Sequence, residues 1–398
     1  MKTTVKGKIH YVGVNDRRKN LFENMWPLPY GVSYNSYIID DEKIALVDTV
    51  DACYFETFLC KIKRIISDRP IDYLIINHME PDHSGSINLI KHYYPNITII
   101  GNRQTFGMIE GYYGTTGEQL VVKDCDTLDL GHHKLTFYLT PMIHWPETMM
   151  TFEETEGVLF SGDAFGCFGA LNGGFVDSKI NLDIYWDEMV RYYSNIVGKY
   201  GSPVQKALDK LGGLSIKAIC STHGPVWTEN VAKVVDIYDK LSRYDADAGV
   251  VILYGSMYGH TEQLAETIAE ELSYQGVKNV VLHNVSKTHP SFILADVFKY
   301  KGLIIGCPTY NGQLYPGVEA MVNNILHRDM KNRYLGYFGA FTWAGAAVKR
   351  LADFAEKSNF EVVNDPVEIK HAMKESDRTL AEALAKSMAD KLRVLDII

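Results

Sequence analysis

The sequence has no paired cysteines. Six occur among 398 residues, at positions 53, 60, 125, 167, 220 and 307, and no two are spaced Cys-x-x-Cys. That spacing marks zinc ribbons and small four-cysteine iron sites, and dense even sets mark disulfide frameworks, so none of these is expected. Long apolar runs are missing too. The longest, residues 73–76 and 249–255, fall far short of the ~20 residues a membrane-spanning helix needs, so no membrane association is expected. The N-terminal stretch carries lysines but no continuous apolar core. No secretory leader is expected, and the scattered thiols then point to a reducing cytoplasm. Basic excess is also lacking: 40 Lys and Arg stand against 49 Asp and Glu, a net charge of −9. Nucleic acid is therefore not the expected partner, because binding its phosphates needs a basic patch.

What remains is an ordinary globular composition, 46% hydrophobic and 22% charged, in a length that suits two or three domains. Two segments differ in pattern. In the first, residues 34–40 and 44–48 flank the polar turn Asp41-Glu42-Lys43 and read as a hairpin. Residues 55–67 place Phe55, Phe58, Leu59, Ile62, Ile65 and Ile66 at helical spacing, and Pro70 stops that helix before a buried strand at 71–77. Further strands are expected at 97–100, 134–139, 158–161 and 216–220. After the polar stretch 245–248, strands (250–254, 280–284, 302–306, 334–341) alternate with helices (261–275, 317–326, 345–357). Leu264, Ile268 and Leu272 form one stripe, and Gly276 can close that helix. Such alternation predicts a parallel sheet with helices on both faces.

The densest group of candidate metal ligands is His78-Met79-Glu80-Pro81-Asp82-His83, directly after a buried strand. Alternate residues of an extended turn converge, so His78, Glu80 and Asp82 suit one cation and His83 can turn toward a second. Buried without a cation, such groups lose hydration with no return; a solvated polar loop is the alternative. Three single candidates follow at strand ends: His144, Asp163 and His223. The set holds four imidazoles and three carboxylates. Oxygen donors suit harder ions than imidazole-rich zinc sites do, which tilts the set toward iron while leaving zinc and manganese open. The order of these residues resembles the binuclear site of the metallo-β-lactamase superfamily, an H-x-[HE]-x-D-H loop followed by His, Asp and His. Glu80 stands where hydrolases of that superfamily usually have His.

In the second segment, strand 250–254 runs into Gly255-Ser256-Met257-Tyr258-Gly259-His260-Thr261 and then a helix. Hydroxyls and backbone N–H groups at a helix N-terminus cradle a phosphate without cationic side chains. The loop lacks the lysine of a triphosphate loop and the G-x-G-x-x-G spacing of a dinucleotide fold. It resembles the FMN phosphate loop of flavodoxins. Two later loops also follow strands: one with Pro308, Thr309, Tyr310, Asn311 and Gly312, the other with Thr342, Trp343, Ala344, Gly345 and Ala346. In flavodoxin-like domains these loops flank the isoalloxazine ring, so Tyr310 and Trp343 are candidates to lie beside its faces. Ala344 and Ala346 depart from the glycine-rich form usual there.

Joined in this order, the two segments resemble the flavodiiron proteins, or A-type flavoproteins. The resemblance implies an α/β chain: a metallo-β-lactamase-like αββα sandwich over residues 1–246 and a flavodoxin-like doubly wound parallel sheet over 247–398. It implies FMN and two irons as cofactors. His78, Glu80 and His144 would hold one iron, Asp82, His83 and His223 the other, and Asp163 would bridge them; in some members the residue matching His83 turns away. Asp48 matches a superfamily aspartate that supports the ligand loop from behind, with a plain turn residue as the alternative. The implied activity is reduction of O2 to water or of NO to N2O. Electrons would come from an external donor, a rubredoxin by preference, and the implied assembly is a head-to-tail dimer. Two other readings stand beside it. One is a zinc hydrolase of the metallo-β-lactamase fold with a regulatory flavodoxin domain; the other is a non-enzymatic electron carrier.

Overall fold

The computed structural model describes residues 3–114 and 117–394. The chain forms two compact units, Met1–Asp239 and Lys240–Ile398. Among the described residues no helix is long and apolar enough to cross a membrane.

The first unit holds two large sheets. One has seven strands in the order Thr4–Lys6, Ile9–Tyr11, Tyr37–Ile39, Ala45–Val47, Tyr73–Ile75, Thr98–Gly101 and Gln119–Val121. The other has five: Thr127–Asp129, Lys134–Leu139, Met149–Glu153, Val158–Gly162 and Ala218–Ser221. The expected hairpin is present, with Tyr37 opposite Val47 and Ile39 opposite Ala45. The strand expected over 34–40 is in fact broken. Val32–Tyr34 pairs instead with Val14–Asp16. The break has a polar cause: the Asn35 amide reaches the carbonyls of Ser221 (2.9 Å) and Gly224 (2.8 Å), and Ser36 Oγ donates to the carbonyl of Asp48 (3.0 Å). Such side-chain bonds compete with ladder pairing. Helix Phe55–Ile66 buries Phe55, Phe58, Leu59, Ile62 and Ile66, the stripe its spacing predicts, and ends at Ser67 with φ of 56°.

The second unit is a parallel sheet in the order Val280–Asn284, Asp247–Tyr254, Tyr300–Pro308 and Tyr334–Phe341, with Glu361–Val362 and Val367–Lys370 both beside the last. This is the strand order 2-1-3-4-5 of doubly wound sheets, which bind ligands beyond the carboxyl ends of their strands. Helix His260–Tyr274 buries Leu264, Ile268 and Leu272, and Gly276 follows it with φ of 91°. Two helices lie outside the expected set: Pro290–Lys299 and Glu375–Val394, the latter burying Ala381, Leu384, Ala385, Met388, Ala389 and Leu392. The guanidinium of Arg333 is fully buried and donates to the carbonyls of Tyr244 (2.7 Å), Phe298 (2.8 Å) and Val297 (2.9 Å). Burial lowers its pKa to about 10, so these carbonyls replace the water the cation gave up.

Candidate metal centre and flavin cleft

The first four candidates leave the end of one central strand. Tyr73–Ile75 lies between parallel neighbours Ala45–Val47 and Thr98–Gly101. Beyond it, Asp48 fixes the chain: its Oδ1 accepts the Asn77 N–H (2.8 Å) and its Oδ2 the Asn77 side-chain amide (2.9 Å). Asp48 thus braces the residue before His78. Glu80 then stands at the N-terminus of a single helical turn, Pro81–Ser84. The segment is therefore not extended throughout, and the turn sends Asp82 toward His223, while His83 stays close to both His78 and Asp82. Helix-compatible φ at Pro81 is what sets the turn.

The other three candidates come from ends of the five-stranded sheet. His144 lies in the loop between Lys134–Leu139 and Met149–Glu153, Asp163 directly follows Val158–Gly162, and His223 follows Ala218–Ser221. All seven side chains meet in one buried pocket. His144 Nε2 lies 3.1 Å from Glu80 Oε2, 3.1 Å from Asp163 Oδ2 and 3.4 Å from His78 Nε2. His78 Nε2 lies 3.5 Å from the same Asp163 Oδ2. On the other side, Asp163 Oδ1 lies 3.2 Å from His83 Nε2 and 3.5 Å from His223 Nε2. Asp82 closes that side, 3.4 Å from His83 Nε2 and 3.3 Å from His223 Nε2. Asp163 turns one oxygen to each side of the pocket, and His83, grouped with Asp82 and His223, also lies within 4.8 Å of donor atoms of His78 and Glu80.

These residues fit a pair of cations. Close as they are, both carboxylate oxygens of Asp82, both ring nitrogens of His83 and Nε2 of His223 are buried without a hydrogen-bond partner. Native interiors rarely leave such groups unmatched. Burial works to raise the Asp163 pKa, but the imidazoles of His83 and His78 outweigh it and hold the carboxylate well below its ordinary range. Burial works to lower the His144 pKa, and Asp163 and Glu80 reverse it, placing the imidazole well above its usual value. Burial raises the Asp82 carboxyl. Shifts in opposite directions within one buried cluster mark it as a candidate functional site.

Three partners of the ligand set carry no sequence motif. Glu147 Oε1 lies 2.6 Å from His78 Nδ1 and accepts the Met79 N–H at 2.9 Å. The carbonyl of Ser33 lies 2.8 Å from His223 Nδ1. Thr222 donates its hydroxyl to Asp163 Oδ1. Their separations along the chain, 69, 190 and 59 residues, leave no local signal to read. Trp145 packs edge-on to His78 with ring centres 5.2 Å apart. Phe165 packs on Tyr238 at 4.7 Å and belongs to the core. A cleft of about 590 Å³ opens over Glu80 and Asp82, walled by Lys19, Phe22, Glu23, Asp51 and Tyr113.

The second unit has its own cleft, of about 430 Å³, beyond the carboxyl ends of three strands. Ser256, Met257, Tyr258, His260 and Thr261 line one side, and Pro308, Thr309, Tyr310, Asn311 and Gly312 the floor. Thr342, Trp343 and Ala344 close it. Three expected residues do not line it. Gly259 forms the turn itself, with φ of 94°, and donates to Ser256 Oγ (3.1 Å). Gly345 sits behind the loop, and the Ala346 N–H is spent on Thr309 Oγ1. Ala340, Phe341 and His371, which belong to none of the sequence motifs, also line it. Trp343 is 87% exposed and Tyr258 90%, so two large apolar rings stand free beside a concave surface, as a planar ligand requires.

Fold and site together define a class: a β-lactamase-like unit with a binuclear, carboxylate-rich pocket joined to a flavodoxin-like unit with a strand-end cleft. Residues 32–224 match the ODP family of β-lactamase-like domains, and residues 252–387 match the flavodoxin family. An anaerobic nitric oxide reductase flavorubredoxin of Shigella dysenteriae is 32% identical, over 91% of this chain and 77% of that protein. The rubredoxin oxygen:oxidoreductase structure from Desulfovibrio gigas is 30% identical, with a TM-score of 0.94 over 98% of each chain. The flavodiiron protein structure from Giardia intestinalis is 25% identical, with a TM-score of 0.92 over 97% of this chain and 95% of that one. The chain belongs to the flavodiiron proteins.

Proposed function

We propose that the protein is an FMN- and di-iron-dependent reductase of O2 to water or of NO to N2O, fed by an external electron donor. The observation that carries this reading is Asp163, whose two oxygens face two nests of imidazole and carboxylate. We assign His78, Glu80 and His144 to one iron, Asp82, His83 and His223 to the other, and Asp163 to both. His83 counts as a ligand because its Nε2 faces Asp163 and Asp82. Bound there, iron supplies electrons side by side to a small diatomic substrate, and FMN passes them on one or two at a time.

The chain's own residues do the rest. Glu147, Ser33 and Thr222 orient His78, His223 and Asp163. Lys19 and Glu23 stand at the cleft mouth, and Tyr34, Phe22 and Tyr192 pack around His223 and exclude water behind it. In the second unit, the first-turn N–H groups of His260–Tyr274 lack a side-chain cap and suit a phosphate. The domains we assign are 1–246 for iron and 247–398 for FMN, since helix Val231–Ser242 ends before that point and strand Asp247–Tyr254 opens after it. A rubredoxin is the proposed donor, in keeping with the names of two relatives. A head-to-tail homodimer in the cytoplasm is the proposed setting, and six free cysteines are in keeping with a reducing compartment.

The test is gas consumption by chemically reduced protein, with O2 and NO run side by side and metals measured on the same sample. The reading predicts bound iron, a flavin spectrum and turnover of at least one gas. Two zincs, hydrolysis and no gas consumption would return the hydrolase reading.

A further inference from the structure

We infer that Glu147 makes the two metal positions electronically unequal, so that the metal on the His83 side takes the first electron and the metal on the His78 side the second. This rests on the binuclear reading above. The observation is an asymmetry behind the ligands. His78 is backed by a full carboxylate, Glu147 Oε1 at 2.6 Å from its Nδ1, with both side chains completely buried. His223 is backed by a neutral carbonyl, that of Ser33 at 2.8 Å. His83 Nδ1 is backed by no hydrogen-bond partner at all.

The loop 140–148 does two jobs at once. It delivers His144 to the nest directly and delivers Glu147 to the far side of His78. Glu147 is pinned there twice over, by the Met79 N–H on its Oε1 (2.9 Å) and by the Asn102 amide on its own carbonyl. Its second oxygen, Oε2, is buried with no partner. On Oε1 the His78 ring nitrogen is the nearer partner, 2.6 Å against 2.9 Å for the Met79 N–H, so the charge bears directly on that imidazole. A carboxylate behind an imidazole makes that ring a more basic ligand and favours the higher charge on the metal it holds. In water-free surroundings such a charge acts strongly over one ring's width. Asp48 is a further buried carboxylate near both His83 and His78 and bonds neither ring, so the asymmetry is one of direct contact: of His78, His83 and His223, only His78 has a carboxylate on its outer ring nitrogen.

Glu147 does not reach the reacting atoms, so it is a positioning residue, and its test is electrochemical. E147Q keeps an oxygen for Met79 N–H and for His78 while removing the charge. Both the parent and E147Q are loaded with iron and titrated with reductant, following the half-reduced pair by electron paramagnetic resonance. The parent is expected to give two separated one-electron steps. In E147Q the steps draw together, the maximal half-reduced signal falls, and affinity for one of the two ferrous ions drops by about 10–100-fold. E147D, which keeps the charge, retains a separation near that of the parent. An E147Q protein with two irons and an unmoved separation overturns the inference, as does an E147D protein that narrows as far as E147Q. Should E147Q fail to hold iron, E147D decides alone: a parent-like separation supports the inference and a collapsed one ends it. A parent chain with no iron pair would end the functional reading itself, whereas an unmoved E147Q ends only this inference.

Discussion

Thr309 Oγ1 accepts the backbone N–H of Ala346 at 2.9 Å, and that of Ala347 at 3.1 Å. One hydroxyl at the end of strand Tyr300–Pro308 therefore caps helix Ala347–Ser358 and ties together two loops of the flavin cleft. Replacing Thr309 with Val preserves shape and removes both bonds. Loss of a cap costs ~1 kcal/mol, and the cleft's two walls lose their register. FMN is expected to dissociate roughly tenfold more readily from T309V while iron content stays unchanged, as read by flavin fluorescence and metal analysis on one preparation.

Trp343 stands almost free beside that cleft. If its ring stacks on the flavin, W343A forfeits ~1 kcal/mol of aromatic contact and the buried area with it. The expected result is weaker FMN retention on dialysis with an unchanged melting temperature of the flavin-free protein. Retention equal to that of the parent would place the ring elsewhere.

Changing His78 and Glu80 together to Ala empties most of one nest and leaves the second unit untouched. The double variant is expected to stay yellow and to lose gas turnover. Turnover that survived would move the chemistry to the flavin.

A second buried acid–imidazole pair lies away from the metal centre. His133 Nδ1 sits 2.9 Å from Glu153 Oε1, and Glu153 also accepts the N–H groups of Thr155 and Glu156. The hydrogen bond to Glu153 raises the His133 pKa above its ordinary 6.5 despite burial. Burial pushes the Glu153 carboxyl up, but His133 and those N–H groups bring it below its ordinary 4.5. For the imidazole the folded value exceeds the unfolded one, so its stabilisation is complete below pH 6.5 and fades as pH rises through the raised value. For the carboxylate the order reverses: its stabilisation is present above pH 4.5 and fades as pH falls through the lowered value. H133L is expected to lose ~1–3 kcal/mol near neutrality and to flatten the alkaline decline of melting temperature. An unchanged slope above pH 6.5 would rule the pair out as its source.

Much of this was legible in the sequence because strand ends carry the chemistry. His144, Asp163 and His223 each follow an apolar run, and all three arrive in one pocket with the His78–His83 segment. Alternation in the second unit predicts a parallel sheet, and the sheet is parallel; its strand order and the edge strands Glu361–Val362 and Val367–Lys370 carry no such signal. What escaped had no local signature. Glu147 matters only because His78, 69 residues away, folds against it. Strands such as Thr4–Lys6 and Val14–Asp16 are three residues long, too short for a period to show. Helix Glu375–Val394 buries a stripe of alanines, Leu384, Met388 and Leu392, regular in spacing but shallow in hydrophobic contrast. The expected convergence of His78, Glu80 and Asp82 on one cation missed the helical turn at Pro81, which sends Asp82 to the other nest.

The proposed assignment of Asp163 to both irons is tested most directly by Mössbauer spectroscopy of the iron-loaded protein. Two irons per chain, magnetically coupled in the parent and lost as a coupled pair in D163A, are the predicted result. Isolated iron in the parent, or coupling that survives in D163A, would contradict the assignment of one carboxylate to two metals.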